Sequence, residues 1–154
     1  MITLEEKQIL ACIPNLLKDS YFTVTSENTR NYNCIAWALG RTDCWYWPPL
    51  DNDEPEDDEY WPKGAPNGTS IEAFIIAMNL EGFEKCHDAK PEEGYTKIAL
   101  YQKNGECTHA ARLCKNGMWT SKMGPLHDIQ HSSAESVEGD FYGNIHCYMK
   151  RKSD

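Results

Sequence analysis

The clearest hydrophobic periodicity lies between residues 69 and 82. Apolar side chains recur there at i, i+3, i+4 and i+7, namely Ile71, Phe74, Ile75 and Met78. This spacing predicts an amphipathic helix with one face in the core. The sequence Thr-Ser-Ile-Glu at 69–72 is typical of a capping box, and Gly82 is expected to end the helix.

The start of the chain carries a similar signal. Thr3 and Glu6 have the spacing of a capping box. The helix that follows is expected to run to about Cys12, because Pro14 lacks the N–H that a continuing helix needs. Residues 21–30 are polar and rich in Thr and Ser, which is typical of a loop or an edge strand.

A third, short helix is predicted within residues 31–40. Asn31 or Asn33 can cap its N-terminus, and Gly40 can end it in the left-handed conformation. Cys34 then lies in the first helical turn, where unsatisfied backbone N–H groups collect.

The pattern changes from helical to alternating after residue 95. Short runs rich in β-branched and aromatic residues are separated by Asn-Gly pairs, which are strong hairpin signals. The predicted strands are residues 96–101, 107–113, 118–123 and 144–150. Residues 124–131 are expected to form a short helix or turn. Helices followed by an antiparallel meander indicate an α+β fold.

The turn between the two middle strands sets their register. A two-residue turn at Asn116-Gly117 would place Arg112 opposite Ser121 and His109 opposite Gly124.

Residues 41–66 are expected to form a long irregular loop, because they are dense in Trp and Pro and include an acidic run. This run, DNDEPEDDE, holds seven of the 24 acidic residues, so most of the net charge of −9 lies in one segment. A solvated loop is the simplest interpretation, and an acidic lid or a cation-binding loop is the alternative. The tryptophans either pack the loop or form a substrate-binding wall.

Length and composition indicate a single domain over residues 1–154, which are 40% hydrophobic and 25% charged. No apolar run is long enough for a transmembrane helix, and the acidic N-terminus is unlike a signal peptide. We therefore expect a cytoplasmic protein with no membrane partner. The net charge of −9 argues against nucleic-acid binding.

Thiol chemistry is the leading functional hypothesis. The chain has seven cysteines, an odd number with no CxxC pair, so reduced thiols are expected. A helix N-terminus favours the thiolate, and among the seven only Cys34 has that predicted setting. Cys34 is therefore the candidate nucleophile, with a lowered pKa. An amide at Asn33 or Asn31 could stabilise an oxyanion beside it.

A thiol nucleophile needs a base. His109 lies on the second predicted strand, on the face that also carries Ala111 and Leu113. Its side chain should therefore point inward, towards whatever helix covers the sheet. If the helix of Cys34 packs there, thiol and imidazole can meet.

The base in turn needs a group that orients it. Asp128 is the nearest downstream carboxylate and the preferred partner of His109. Thr120, which the predicted register places on the face of His109, and Ser121 are the alternatives.

This arrangement resembles the papain-like cysteine peptidase superfamily, especially its small bacterial cell-wall-peptidase and CHAP-type branches. Those proteins place a cysteine at the start of a helix, a histidine on a later antiparallel strand and a polar residue further on. The matching positions here are Cys34 in N-Y-N-C-I-A-W-A and His109 in C-T-H-A-A-R-L. The resemblance covers roughly residues 31–150 and implies a papain-like α+β fold, with N-terminal helices packed on the meander.

The chain also resembles an uncharacterised bacterial family with the motifs N-C-I-A-W-A, Y-W-P, T-H-A-A-R and W-T-S-K-x-G-P-L. This closer resemblance spans nearly the whole chain and implies no particular activity.

The resulting hypothesis is a thiol-dependent hydrolase or acyltransferase that acts on a peptide or a small amide or ester and needs no cofactor. Cys34 attacks the carbonyl carbon, His109 is general base and then general acid, and Asp128 orients the imidazole. One wall of the cleft would be formed by the tryptophans Trp37, Trp45, Trp47 and Trp61.

Two alternatives stay open. In the first, the chain is a non-catalytic module of the same fold, the 45–61 loop binds a protein partner, and Cys34 is structural. In the second, a zinc ion is bound by Cys107 and His109 on one strand face together with His127 and His131 on one helix face. Their spacing matches no standard zinc pattern, so no metal is expected.

Overall fold

The computed structural model of the protein describes residues 3–49, 59–123 and 126–153. Its α-helices are α1 (Leu4–Cys12), α2 (Cys34–Ala38) and α3 (Ile71–Leu80), and its 3₁₀ helices are Pro14–Lys18 and Ala134–Val137. Its strands are β1 (Thr23–Val24), β2 (Trp45–Tyr46), β3 (Glu59–Tyr60), β4 (Glu84–Cys86), β5 (Tyr95–Lys103), β6 (Glu106–Leu113), β7 (Trp119–Lys122), β8 (Asp128–His131) and β9 (Asn144–Lys152).

The main sheet is antiparallel, and its strand order is β1-β8-β7-β6-β5-β9-β4. Strands β5 to β7 form the predicted meander, β8 extends it by one unpredicted strand, and β9 returns to pair with β5. The α+β class is therefore confirmed. Strands β2 and β3 form a separate parallel pair within the Trp- and Pro-rich segment. The acidic run, apart from its last residue Glu59, lies outside the described residues.

Both faces of the sheet are covered, because alternate side chains of each strand enter different clusters. Helices α2 and α3 and the β2–β3 pair cover one face, which we call the α2 face; Ile98, Leu100 and Ala110 point into it. Helix α1 and the 3₁₀ helices cover the other, the α1 face, into which Tyr101 and Ala111 point. No helix in the described ranges is long and apolar enough to cross a bilayer.

The predicted N-cap is confirmed for two of the three α-helices. Thr3 and Glu6 form the predicted capping box of α1, and Asn33 caps α2. The cap of α3 is Ser70 rather than Thr69, because the Ser70 hydroxyl accepts from the N–H of Ala73. The Thr69 hydroxyl donates to the Glu106 carboxylate instead.

The connection between β6 and β7 is longer than predicted, and this changes the register. Gly117 has a φ of 87°, as in a three-residue loop with a left-handed third residue. Arg112 consequently lies opposite Thr120 rather than Ser121. The shift of one residue moves Ser121 to the face of His109 and Thr120 to the opposite face, since side chains alternate along a strand.

The predicted helix or turn at 124–131 is also wrong where it is described, because residues 128–131 form strand β8. Its register places Asp128 opposite Lys122 and Ile129 opposite Ser121. Asp128 therefore lies on the α2 face and Ile129 on the α1 face.

A β-bulge at Thr108 separates two side chains that a regular strand would place together. Tyr101 pairs with His109 and Gln102 with Cys107, so Thr108 is the extra residue of β6. Cys107 consequently packs on the α2 face while His109 lies on the α1 face. The expected shared face of Cys107 and His109 is therefore wrong.

Candidate functional site

Helix α2 begins at Cys34 because the Asn33 side chain caps its N-terminus and also forms hydrogen bonds with strand β2. The Asn33 Oδ1 accepts from the N–H of Ala36 at 3.1 Å and from that of Tyr46 at 3.0 Å. Its Nδ2 donates to the Tyr46 carbonyl at 2.9 Å. The amide thus joins α2 to β2 through Oδ1 and one N–H of Nδ2, and the second Nδ2 N–H makes no hydrogen bond among the described residues.

Asn31 is not placed to stabilise an oxyanion beside Cys34. It is exposed, its N–H donates to the Thr29 hydroxyl, and it does not line the cavity into which Cys34 faces. Of the two predicted asparagines, Asn33 positions Cys34 and Asn31 does not contact it through any described hydrogen bond.

Cys34 lines an apolar cavity of about 390 Å³. The residues that surround it come from α1, the N-cap of α2, the segment at β2, β6, the connection between β7 and β8 and the segment before β9: Ile9, Cys12, Asn33, Trp45, Trp47, Thr108, Met123, Leu126, Phe141 and Tyr142. Two of the four predicted tryptophans, Trp45 and Trp47, therefore form part of a cavity wall.

The other two tryptophans lie elsewhere. The Trp37 Nε1 donates to the Thr120 hydroxyl at 3.1 Å, and its ring stacks on Tyr32. The Trp61 Nε1 donates to a backbone carbonyl, and its ring packs against Phe74. Neither Trp37, which is half-buried, nor Trp61, which is buried, lines the cavity.

Burial dominates the electrostatics of Cys34. The residue is only 6% exposed, and the loss of hydration raises the pKa of its thiol to about 11. Backbone N–H groups of Ala110, Ile35 and Cys34 itself act in the opposite direction, but they do not compensate. The expected lowering of the pKa is therefore wrong: α2 has only five residues, and its N-terminus cannot replace the lost water. Cys34 is a neutral thiol at pH 7.

His109 is fully buried and lies on the α1 face, so α2 does not cover it as expected. Its ring stacks on Tyr142, with centroids 4.0 Å apart and planes 11° apart. Cys34 and His109, which belong to opposite faces of the sheet, approach each other where β6 and β7 diverge. These two strands pair only at Arg112 and Leu113. There the N–H of Ala110, which belongs to the peptide bond directly after His109, faces the Cys34 sulfur.

A series of hydrogen bonds positions the His109 ring through its Nε2 atom. His109 Nε2 lies 2.9 Å from the Ser121 hydroxyl, which lies 2.8 Å from His131 Nε2. His131 Nδ1 lies 2.8 Å from the Ser133 carbonyl oxygen. All three side chains in the chain are fully buried. We call this set the His-Ser-His chain.

The carbonyl group at its end determines where the protons lie. A carbonyl only accepts, so His131 carries its proton on Nδ1. Burial lowers the pKa of both imidazoles, so each is neutral at pH 7. His131 Nε2 then accepts from the Ser121 hydroxyl, and Ser121 accepts from an N–H at His109 Nε2. His109 Nδ1 consequently has a lone pair, and within the described structure it is buried without a hydrogen-bond partner.

Asp128, the preferred orienting group in the sequence, lies on the other side of the sheet from His109. Its Oδ2 accepts from the Tyr32 hydroxyl at 2.9 Å. Burial and this carboxylate together raise the pKa of Tyr32 to about 12. Thr120 is likewise directed away, since its hydroxyl bonds Trp37 and the Ile129 carbonyl. Of the three predicted candidates, only Ser121 contacts the imidazole.

Among the described residues, no group of three or more His, Cys, Asp and Glu side chains could hold a metal ion. The proposed zinc ligands are separated for two reasons. The bulge at Thr108 divides Cys107 from His109, and His127 and His131 lie four residues apart along an extended segment, a distance of about 13 Å.

Two contributors to the site were not recognised in the sequence, His131 and Tyr142. In the sequence, the spacing of His131 suggests only a zinc ligand on a helix, whereas β8 places it beside Ser121. Tyr142 lies just before β9, outside its alternating pattern, so no local signal indicates that its ring lies against His109.

Comparison with known proteins identifies the family. A family model described as "Domain of unknown function (DUF7689)" matches residues 23–150, which include Cys34 and the complete His-Ser-His chain. Neither the curated proteins nor the solved structures contain a significant match. Because the match covers most of its length, the chain belongs to the DUF7689 family.

Proposed function

We propose that this protein is a thiol-dependent hydrolase or acyltransferase that acts on an amide or ester, with a papain-like order of nucleophile and base. The observation that carries the proposal is the lone pair at His109 Nδ1, which the His-Ser-His chain leaves without a partner among the described residues, while the N–H of the next residue, Ala110, faces the Cys34 sulfur. A buried base that is oriented by hydrogen bonds on one nitrogen and unpaired on the other is suited to accept a proton.

The reaction begins with both groups neutral. The Cys34 S–H proton passes to His109 Nδ1 while the sulfur attacks the carbonyl carbon, so a C–S bond forms and the carbonyl oxygen becomes an oxyanion. Backbone N–H groups of Ala110 and Ile35, which face the sulfur, stabilise this charge. His109 then gives its proton to the leaving nitrogen or oxygen as that bond breaks.

The resulting thioester is released by a second transfer of the same kind. Water or another acceptor loses a proton to His109 Nδ1 and attacks the acyl carbon, and the proton returns to the sulfur as the C–S bond breaks. Among the described residues, His109 Nδ1 has no hydrogen-bond partner. The proposal therefore requires thiol and imidazole to close together when a substrate fills the cavity, as catalytic hydrogen bonds commonly do.

Before substrate binds, Cys34 and His109 are both neutral, and this distinguishes the proposal from a mechanism that begins with a preformed thiolate. Burial raises the pKa of Cys34 and lowers that of His109, so an ion pair is disfavoured before substrate arrives. His109 acts as a general base during attack, and its removal should cost more than the removal of a mere hydrogen-bond partner.

The alternative of a partner-binding module gains little support from the loop that would carry it. The rings of Trp47 and Trp61 both pack against Phe74 of α3, and Trp61 is buried. These contacts place both rings against α3.

The test is the trapping of an acyl-enzyme with activated aryl esters, followed by intact mass and peptide mapping. The wild-type protein should gain one acyl group at Cys34. Cys34→Ala should gain none there, and His109→Gln should acylate about 10²- to 10⁴-fold more slowly. Cys114→Ala, a half-buried thiol outside the cavity, is the matched control and should leave the rate unchanged.

Two results would contradict the proposal. One is acylation spread over several thiols at equal rates in the folded protein. The other is a Cys34 rate that stays the same in a His109→Gln variant whose circular dichroism and melting behaviour show that it is folded.

A further inference from the structure

The chemistry of the cavity walls restricts what can bind beside Cys34. Among the described residues that line it, none is charged. Aromatic rings of Trp45, Trp47, Phe141 and Tyr142 and aliphatic side chains form most of the surface. A charged group that entered would lose its hydration without gaining a partner.

Most polar groups of the lining are already engaged within the protein. The Asn33 Oδ1 and one N–H of its Nδ2 are used by Ala36 and Tyr46, and the Thr108 hydroxyl donates to the Tyr142 carbonyl. The Tyr142 hydroxyl points to the Met123 sulfur at 3.9 Å. The polar functions left for a ligand are the thiol itself, the backbone N–H groups around it and the second N–H of the Asn33 amide, which together suit one carbonyl group.

The volume fits a substantial apolar group. A cavity of about 150 Å³ holds benzene, and this one measures about 390 Å³. It therefore has room for a bicyclic ring or a branched alkyl chain of roughly ten carbons. Phe141 is 55% exposed although it is a large apolar side chain, and it lies at the mouth of the cavity, where a ligand would cover it.

We propose that the substrate of this site is an uncharged amide or ester that carries an apolar aromatic or branched alkyl group, and that this group occupies the cavity. The inference rests on the proposed function for the reaction, but the binding preference itself does not require turnover. The nearest buried cation, Lys122, donates to the Thr29 carbonyl and faces the Tyr32 ring, and it does not line the cavity.

A second thiol makes the preference measurable without catalysis. Cys12 lines the same cavity as Cys34, whereas Cys114 does not. Chloroacetamides with one warhead and different N-substituents then report on the cavity: benzyl and cyclohexylmethyl as apolar groups, methyl as the small neutral reference, and carboxymethyl as the anionic one. Alkylation of each cysteine is followed by peptide mapping, with Cys114 as the internal measure of intrinsic reactivity.

We expect the apolar reagents to alkylate Cys34, relative to Cys114, at least about tenfold faster than the methyl reagent, with rates that saturate at high concentration, since each buried CH₂ is worth about fourfold. The carboxymethyl reagent should be slower than methyl. Phe141→Asp should reduce the apolar preference at least threefold. The control Tyr21→Asp, at a residue 58% exposed and outside the cavity, should not change it.

The Cys34→Ala variant separates this inference from the proposed function. If Cys34 proves unreactive while Cys12 in Cys34→Ala still prefers the apolar reagents, the acyl chemistry is wrong and the cavity preference is correct. If acyl-enzyme forms at Cys34 but the apolar and methyl reagents react alike at both thiols, the inference about substrate class is overturned. Faster reaction with the carboxymethyl reagent would overturn it too, and would indicate that Lys122 attracts an anionic group.

Discussion

Replacing Ser121 by alanine is expected to lower the free energy of unfolding by about 2–6 kcal/mol. The loss exceeds that of one hydrogen bond because a single hydroxyl serves two buried imidazoles. Without it, His109 Nε2 and His131 Nε2 both lose their partner in a site that water does not reach. Each buried polar group left unsatisfied costs about 1–3 kcal/mol.

Urea denaturation measures this loss, and Thr120→Val is the matched control. Thr120 is the neighbouring residue of β7 on the opposite face, where its hydroxyl accepts from Trp37 and donates to Ile129. That site is only partly buried, so the cost should be near 1 kcal/mol. Equal losses in the two variants would mean that the His-Ser-His chain has no special energetic role.

Ser121→Ala should also slow acylation of Cys34. The Ser121 oxygen is the group that holds the His109 proton on Nε2 and so keeps Nδ1 unprotonated. Without that acceptor the two tautomers become closer in free energy, and the competent one is less populated. A folded Ser121→Ala protein that acylates at the wild-type rate would show that the tautomer is set by something else.

Acidification from pH 7 to pH 5 is expected to reduce stability steeply. His109 and His131 have pKa values below 6.5 in the folded protein, because burial disfavours their charged forms. The unfolded chain therefore binds more protons than the folded one below pH 6.5. The stability from these neutral imidazoles is complete above that pH and is lost as the pH falls, at up to about 1.4 kcal/mol per unit for each histidine.

Urea midpoints at half-unit intervals between pH 7.5 and 5 test this slope. Two buried histidines predict a slope of up to about 2.7 kcal/mol per unit. His131→Gln should reduce the slope, whereas the control His146→Gln, at an exposed residue, should leave it unchanged. A flat stability profile over this range would contradict the assignment of both rings as neutral and buried.

Local sequence signals predicted most of the secondary structure. Caps and periodicity identified α1, α3 and the start of α2 at Cys34, and alternation identified β5, β6 and β9. These features depend on residues close together in sequence.

The register of the strands depends on loop length and on a bulge, which the alternation of polar and apolar residues does not reveal. A loop longer by one residue before β7 moved Ser121 to the face of His109 and Thr120 away from it. The bulge at Thr108 similarly divided Cys107 from His109. Side chains alternate at every residue, so a single added position reverses every contact between faces.

The candidate site was predicted in part, for the same reason. Cys34 is at the helix start, and Ser121 was among the candidates for the partner of His109. The choice of Asp128 failed because the register and strand β8 direct its carboxylate to Tyr32. The expectation of a reactive thiolate failed because burial, a property of the whole fold, outweighs the N-terminus of a short helix.

The most direct test of the proposed chemistry is the protonation state of the two buried imidazoles, His109 and His131. It is measured by two-bond ¹H–¹⁵N correlation spectra at pH 7. His109→Gln and His131→Gln variants would assign the signals. We expect neutral rings, with the proton on Nε2 in His109 and on Nδ1 in His131. A proton on His109 Nδ1, or a charged His109 ring, would leave no lone pair for the Cys34 thiol and would contradict the proposed chemistry.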